Sequence, residues 1–141
     1  MAGVIELSRS TGKRLLTWSI SSFIIGIVLL FSSPGAILGG IGLQAIIWGT
    51  IDTVIAAYVL FKQKEHSAGK IASTVYKNIY LDIVYQVVGL IVIVVFLQDP
   101  YLVGNGIGVI IQGFFLLLLD VLYYNSLQDL VKETIAVSSE L

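Results

Sequence analysis

The apolar segment 36–61 constrains the fold most, because it is long enough to cross a bilayer yet contains a carboxyl group. Gln44, Trp48 and Asp52 follow one another at four-residue spacing, so they share one face of a helix. Small residues repeat at the same spacing on the neighbouring face and form a stripe that lets helices approach closely in lipid: Ala45, Gly49, Thr53 and Ala57. The segment is predicted to be a membrane helix with a polar face and a packing face.

Composition places the rest of the chain in lipid as well. Only 12% of the 141 residues are charged and the mean hydropathy is +0.95, whereas soluble domains contain about 25% charged residues. Short turns at Pro34 and Pro100 divide the apolar sequence into antiparallel pairs. We predict an all-α fold, with four transmembrane helices in two antiparallel hairpins within one membrane domain, residues 1–141. The predicted spans are residues 15–33, 36–61, 78–97 and 104–124, with short amphipathic termini.

Residues 1–12 and the first apolar run each have two interpretations. Residues 1–12 are predicted either as a loosely ordered terminus or as one or two turns in the membrane interface. The first apolar run follows a basic pair, as a signal peptide does, but a second long run follows at once, so we interpret it as a retained span. Residues 62–77 are predicted to be the long polar connection.

Positive charges indicate the orientation. All eight Lys and Arg residues lie at the termini or in the middle connection, and neither short turn contains one. Because cytoplasmic loops are enriched in Lys and Arg, we predict a multi-pass protein of the cell membrane with both termini in the cytoplasm.

A second polar face indicates a possible internal repeat. Shifting the chain by 68 residues aligns Gln44 with Gln112 and Asp52 with Asp120. Such a repeat would be parallel, with its axis along the membrane normal, because two full spans separate equivalent positions. A chance match within apolar sequence is the alternative.

Three acids are predicted to lie within the membrane: Asp52, Asp82 and Asp120. An ionised Asp at a helix centre costs roughly 2.5–3.5 kcal/mol, so each should face the interior and pair, bind a cation or hold a proton. Under the structural alternative, these acids join helices by hydrogen-bonding Gln44, Gln86 and Gln112, or by pairing with Arg14 or Lys77. Gly108 is predicted to be a further packing position.

Other motifs indicate no chemistry. His66 is the sole histidine and lies in a charged connection, where solvation is expected. The chain has no cysteine, and the glycines at 104, 106 and 108 follow a membrane span instead of a strand, so a tight turn and close packing explain them better than a dinucleotide site. We expect no enzyme activity, no cofactor, no metal site and no nucleic-acid partner.

Several strings resemble a family of small prokaryotic four-span membrane proteins of uncharacterised function. They are the run from Gln44 to Asp52, the run from Leu81 to Tyr85 with Gly89, and Gly106 to Gly108 leading to Gln112 and Asp120. The resemblance covers the last three spans and implies four spans but no activity. In that family the position of Asp52 is often Asn, which implies a packing or hydrogen-bonding role.

Two functions are compatible with these features, and the first is favoured, because no span is visibly broken near Asp52 and the outer halves of the spans lack polar residues to continue a pathway. One is a non-enzymatic structural or accessory subunit of a membrane complex, or a homo-oligomer, whose partners are lipid and other membrane subunits or further copies of itself. The other is a small channel or transporter that handles protons or cations with its intramembrane aspartates. Paired, dry aspartates would support the first function, and water-lined aspartates that face a cavity would support the second.

Overall fold

Four long helices make up the protein in the computed structural model, which describes residues 2–62 and 66–140. They are α1 (Ala2–Ser32), α2 (Ile37–Phe61), α3 (Ala68–Val95) and α4 (Pro100–Ser139), and no strand occurs in these ranges. Each helix is long and apolar enough to cross a membrane. The prediction of an all-α fold with four such helices is confirmed. Helix α1 packs along α2, α3 packs along α4, and α2 packs against α4.

Local sequence explains where the helices begin and end. The turn after α1 includes Gly35 at a φ of 77°, a conformation that favours glycine. Asp99 precedes α4 and its side chain accepts hydrogen bonds from the backbone N–H groups of Tyr101 and Leu102, while Pro100 occupies the first turn, where it requires no N–H partner. These two turns make each hairpin tight.

The helices extend well beyond the predicted spans. Residues 2–12 are part of α1, so the prediction of a loosely ordered terminus is wrong. Residues 68–77 form the first turns of α3 instead of the predicted polar connection. The predicted amphipathic tail continues α4 without a break to Ser139. The remaining connection includes residues 63–65, among them one of the eight cationic positions, and these lie outside the described residues.

An apolar cluster at one end of the bundle accounts for the additional turns of α1, α3 and α4. Ala72, Val75 and Leu127 form its buried centre, and Val4 and Leu7 pack against it. The start of α1 is thus held between the start of α3 and the end of α4. Burial of these side chains stabilises turns that would otherwise fray, because helix ends gain most of their stability from packing.

Within each hairpin, the helices meet backbone to backbone at glycine. A Cβ atom added to Gly26 would lie 2.6 Å from the carbonyl oxygen of Gly42, and one added to Gly42 would lie 2.7 Å from that of Gly26. Gly89 and Gly106 repeat this contact in the second hairpin, at 2.8 and 2.7 Å. Any side chain at these four positions would force the helices apart.

Helices α2 and α4 also meet through glycine, near their first turns. A Cβ on Gly40 would collide with the carbonyl oxygen of Tyr101, and a Cβ on Gly104 would collide with that of Ile37. The glycines at 104 and 106 therefore lie inside a helix, so close packing explains them and the predicted turn is wrong.

These contacts reveal an internal repeat with a different offset from the predicted one. Position 37 corresponds to 101, 40 to 104 and 42 to 106, an offset of 64, while Gly26 corresponds to Gly89, an offset of 63. Equivalent positions of α2 and α4 face each other, so a pseudo-twofold axis runs between these helices along their length. The offset of 68 is wrong because it aligned polar side chains that have different partners, as the following contacts show.

Candidate functional site: an acid-lined cavity

A cavity of about 620 Å³ lies beyond the glycine contacts of α2 and α4. Residues of all four helices line it, including the three acids predicted to lie within the membrane, one each on α2, α3 and α4. At the end of the bundle where α2 finishes and α3 begins, Lys62, His66 and Lys70 also line the cavity. We refer to this end as the mouth and to the end nearest Gly40 and Gly104 as the closed end.

Two of the three acids are almost completely buried. Asp52 is 1% exposed and Asp82 is 4% exposed. One carboxyl oxygen of each, Oδ2, has no hydrogen-bond partner among residues 2–62 and 66–140. Leaving such a group unsatisfied costs about 1–3 kcal/mol, and more if it is charged.

Asp120 is the third acid of the cavity. It is partly exposed and lines the same space as Asp52 and Asp82. Carboxyl groups that approach one another can share a hydrogen bond only when one of them carries a proton, because an ionised carboxylate has no donor. The arrangement is therefore suited to holding a proton or a positive charge.

The glutamines form hydrogen bonds with groups other than the aspartates. Gln44 donates from Nε2 to Oδ1 of Asn105 across α2 and α4, at 2.8 Å. Gln86 donates from Nε2 to the backbone carbonyl of Ile110, at 3.3 Å. Both bonds tie helices together at interfaces on the closed side of the acids.

Gln112 joins α4 to α1. Its Oε1 accepts a hydrogen bond of 2.8 Å from Nε1 of Trp18, and its Nε2 donates to Oγ of Ser22 at 3.4 Å. The Trp18 ring stacks on Phe115, with 4.0 Å between ring centroids. The structure therefore divides the six polar residues that the sequence singled out: three aspartates face one cavity, and three glutamines bind elsewhere.

The basic residues proposed as partners for the acids lie on other surfaces. Arg14 lines a separate groove between α1 and α4, together with Lys13. Lys77 is exposed. His66, expected to be solvated, is partly buried where it lines the mouth.

The small-residue stripe of α2 faces α1. A Cβ on Gly49 would lie 2.7 Å from the carbonyl oxygen of Ser19, and Thr53 donates from Oγ1 to Oγ of Ser19 at 2.9 Å. Ala45 is buried and Ala57 is partly buried on the same helix. On α4, a Cβ at Gly108 would lie 2.6 Å from Cβ of Gln44. These packing positions contact helices of the same chain.

Aromatic side chains form the other notable part of the cavity wall. The rings of Trp48 and Tyr85 meet edge to face, 4.8 Å between centroids at 67°. Tyr123 also lines the cavity and shares a hydrogen bond of 2.7 Å with Ser8. Sequence reasoning placed Trp48 on the polar face but missed Tyr85 and Asn105. The signal for Asn105 was an amide between two glycines at the start of an apolar span.

The geometry limits what the acids can bind. Among the described residues, no group of three or more His, Cys, Asp or Glu side chains is arranged to hold a metal ion. The carboxyl groups approach one shared space from different helices, and apolar side chains make up most of the surrounding wall. This arrangement can neutralise a positive charge inside an otherwise apolar space.

Fold and site together define a class: a four-helix protein with helices long enough to span a membrane, built from two pseudosymmetric hairpins around an acid-lined cavity. The chain belongs to a family of unknown function, DUF6992, which matches residues 14–121. The match includes all three acids and part of every helix, so it extends further than the last three spans. No curated protein and no solved structure matches the chain.

Proposed function

We propose that the protein is a small cation-handling transporter whose binding groups are Asp52, Asp82 and Asp120. The observation that carries this proposal is that two buried carboxyl groups line one cavity, each with an oxygen that has no hydrogen-bond partner in the described part of the chain. A structural acid would be expected to have its oxygens paired, because unpaired buried polar groups are costly. A bound cation or proton would supply the missing partner.

The packing of the small residues favours this function over that of a structural or accessory subunit. Such a subunit, or a homo-oligomer, would use its small-residue stripes to contact another chain. Here Gly49 contacts Ser19 and Gly108 contacts Gln44, so both positions are occupied by helices of the same chain. The outward-facing surface consists largely of side chains suited to lipid, such as Phe31 and Val54.

The shape of the cavity favours a carrier over an open pore. Near the closed end, backbone contacts at Gly40 and Gly104 leave no side-chain gap between α2 and α4. The mouth lies beside Lys62 and Lys70. Because cytoplasmic loops are enriched in Lys and Arg, the mouth and both termini are assigned to the cytoplasmic side of the cell membrane. In the present conformation, the site would then be open to the cytoplasm.

Flux measurements in vesicles test the proposal. The purified protein is reconstituted with a trapped pH-sensitive dye, and gradients of protons, Na⁺, K⁺ or a small organic cation are imposed. We expect flux above that of empty vesicles for the wild type and loss of that flux in Asp52→Asn and Asp82→Asn. Asp129→Asn is the matched control, because Asp129 is exposed on the far end of α4.

Thermal unfolding of the same variants separates function from folding. Asn keeps the shape of Asp but cannot release a proton or carry charge. If the wild type gives no flux of any tested ion, or if the Asn variants transport as well as the wild type, the transporter function is rejected and the subunit function is favoured.

A further inference from the structure

We infer that the ligand of the cavity is an amphipathic organic cation, in which apolar groups surround a positively charged centre. This inference rests on the proposed function of the cavity and specifies its ligand. It follows from three features of the site: the size of the space, the order of its side chains along the helices, and the placement of its charges.

The space is far larger than a proton or a metal ion requires. Pockets of about 300–1,000 Å³ typically hold drug-sized organic ligands, and this cavity measures about 620 Å³. A bare metal ion would also need several oxygen ligands arranged around one point, and the described residues contain no such group. An organic molecule fills the space better than either.

Aromatic and acidic side chains occur in the same order on two helices. On α2, Trp48 lies one turn nearer the closed end than Asp52, and on antiparallel α3, Tyr85 lies one turn nearer that end than Asp82. The rings of Trp48 and Tyr85 touch. On both helices, the ring thus lies one turn nearer the closed end than the carboxyl group.

This order matches the chemistry of an amphipathic cation. Aromatic faces attract cations and also pack against apolar groups. Asp52 and Asp82 line the same space from different helices, and each has a carboxyl oxygen with no hydrogen-bond partner among the described residues. Leu116 and Leu119 of α4 and Ile55 of α2 supply apolar surface around the same space.

The positive residues do not cancel this acidic field. Lys62 is ten residues from Asp52, about 15 Å along the helix at 1.5 Å per residue. Lys70 is exposed at the start of α3, twelve residues before Asp82. The deep part of the cavity is therefore governed by the three carboxyl groups, while the lysines affect only the mouth.

The test compares two probes of similar size and opposite charge, tetraphenylphosphonium and tetraphenylborate. Binding to the full-length protein in detergent is measured by isothermal titration calorimetry and by tryptophan fluorescence. We expect saturable binding of the cation at one per chain and no saturable binding of the anion. Asp52→Asn and Asp82→Asn should each weaken cation binding at least tenfold, and Trp48→Leu severalfold.

Asp129→Asn should bind the cation as the wild type does, and size-exclusion chromatography checks that each variant is folded. Equal binding of both probes would overturn the inference and identify an apolar cavity without charge selection. Absence of cation binding, with ion flux that still depends on Asp52, would overturn the inference while the proposed function stands. Absence of both binding and flux would reject both.

Discussion

Substituting Gly89 with alanine tests whether backbone contact at glycine holds the second hairpin together. The added Cβ would lie 2.6 Å from Cγ1 of Ile110 and 2.8 Å from the carbonyl oxygen of Gly106. An ordinary carbon contact is about 3.5–4.0 Å, so α3 and α4 must separate by several tenths of an ångström or more. Overpacking of this kind costs typically about 1–3 kcal/mol.

Gly69→Ala is the matched control on the same helix. Nothing lies within 4 Å of a Cβ built there, so alanine adds no clash and gains helix propensity, up to about 1 kcal/mol. The two variants should therefore differ in unfolding free energy by about 1–4 kcal/mol, with Gly89→Ala the less stable.

Unfolding in bicelles or mild detergent, followed by circular dichroism or by steric trapping, measures this difference. The pseudosymmetric variant Gly26→Ala should behave like Gly89→Ala, because its Cβ would lie 2.6 Å from the carbonyl oxygen of Gly42. If Gly89→Ala proves as stable as Gly69→Ala, the close contact between α3 and α4 is not present in solution, and the account of the repeat fails with it.

Three further predictions follow from individual contacts. Asp52→Asn should not lower the unfolding midpoint, because Oδ2 of Asp52 has no partner to lose; a clear fall would show that the carboxyl group is structural. Gln112→Leu should cost about 1 kcal/mol and shift Trp18 emission, because Nε1 of Trp18 loses its acceptor; unchanged emission would contradict that bond. The chain has no cysteine, so single cysteines can report topology: Asp99→Cys should react only from outside the cell and Ser67→Cys only from inside, and the reverse pattern would invert the orientation.

The number and order of the helices could be read from the sequence, whereas their lengths could not. Four apolar runs separated by turns at Pro34 and Pro100 leave few alternatives in lipid, since only helices or closed barrels satisfy the backbone there. The start of α1 was missed because Val4 and Leu7 look like isolated apolar residues among polar ones. They become helical by packing against Leu127, more than a hundred residues away, and no local pattern reports such a contact.

The three acids of the candidate site could be singled out in the sequence, but their arrangement around one cavity could not be predicted. Asp52, Asp82 and Asp120 were conspicuous because acids are rare in membrane spans. Their separation from the glutamines depends on which way each helix is rotated. That rotation is set by the glycine contacts and not by the polar residues. Aligning the glutamines and aspartates therefore gave the wrong offset for the repeat. A better signal was the spacing of glycines at 40, 42 and 49, which recurs at 104, 106 and 113.

The repeat and the site use different parts of the same hairpins. With offsets of 64 for the second helices and 63 for the first, the equivalent of Asp52 is Leu116, that of Asp120 is Ala56, and that of Asp82 is Ser19. No acid has an acidic counterpart, although the glycine contacts nearer the closed end match pair by pair.

The shared contacts fix the spacing of the four helices, because close approach tolerates no side chain. Residues farther along the helices do not make these contacts and are free to differ between the hairpins. A symmetric arrangement would place acids in equivalent pairs across the axis. The departures at these three positions instead direct all three carboxyl groups into one space, which residues of all four helices line. The cavity is thus asymmetric within a symmetric frame.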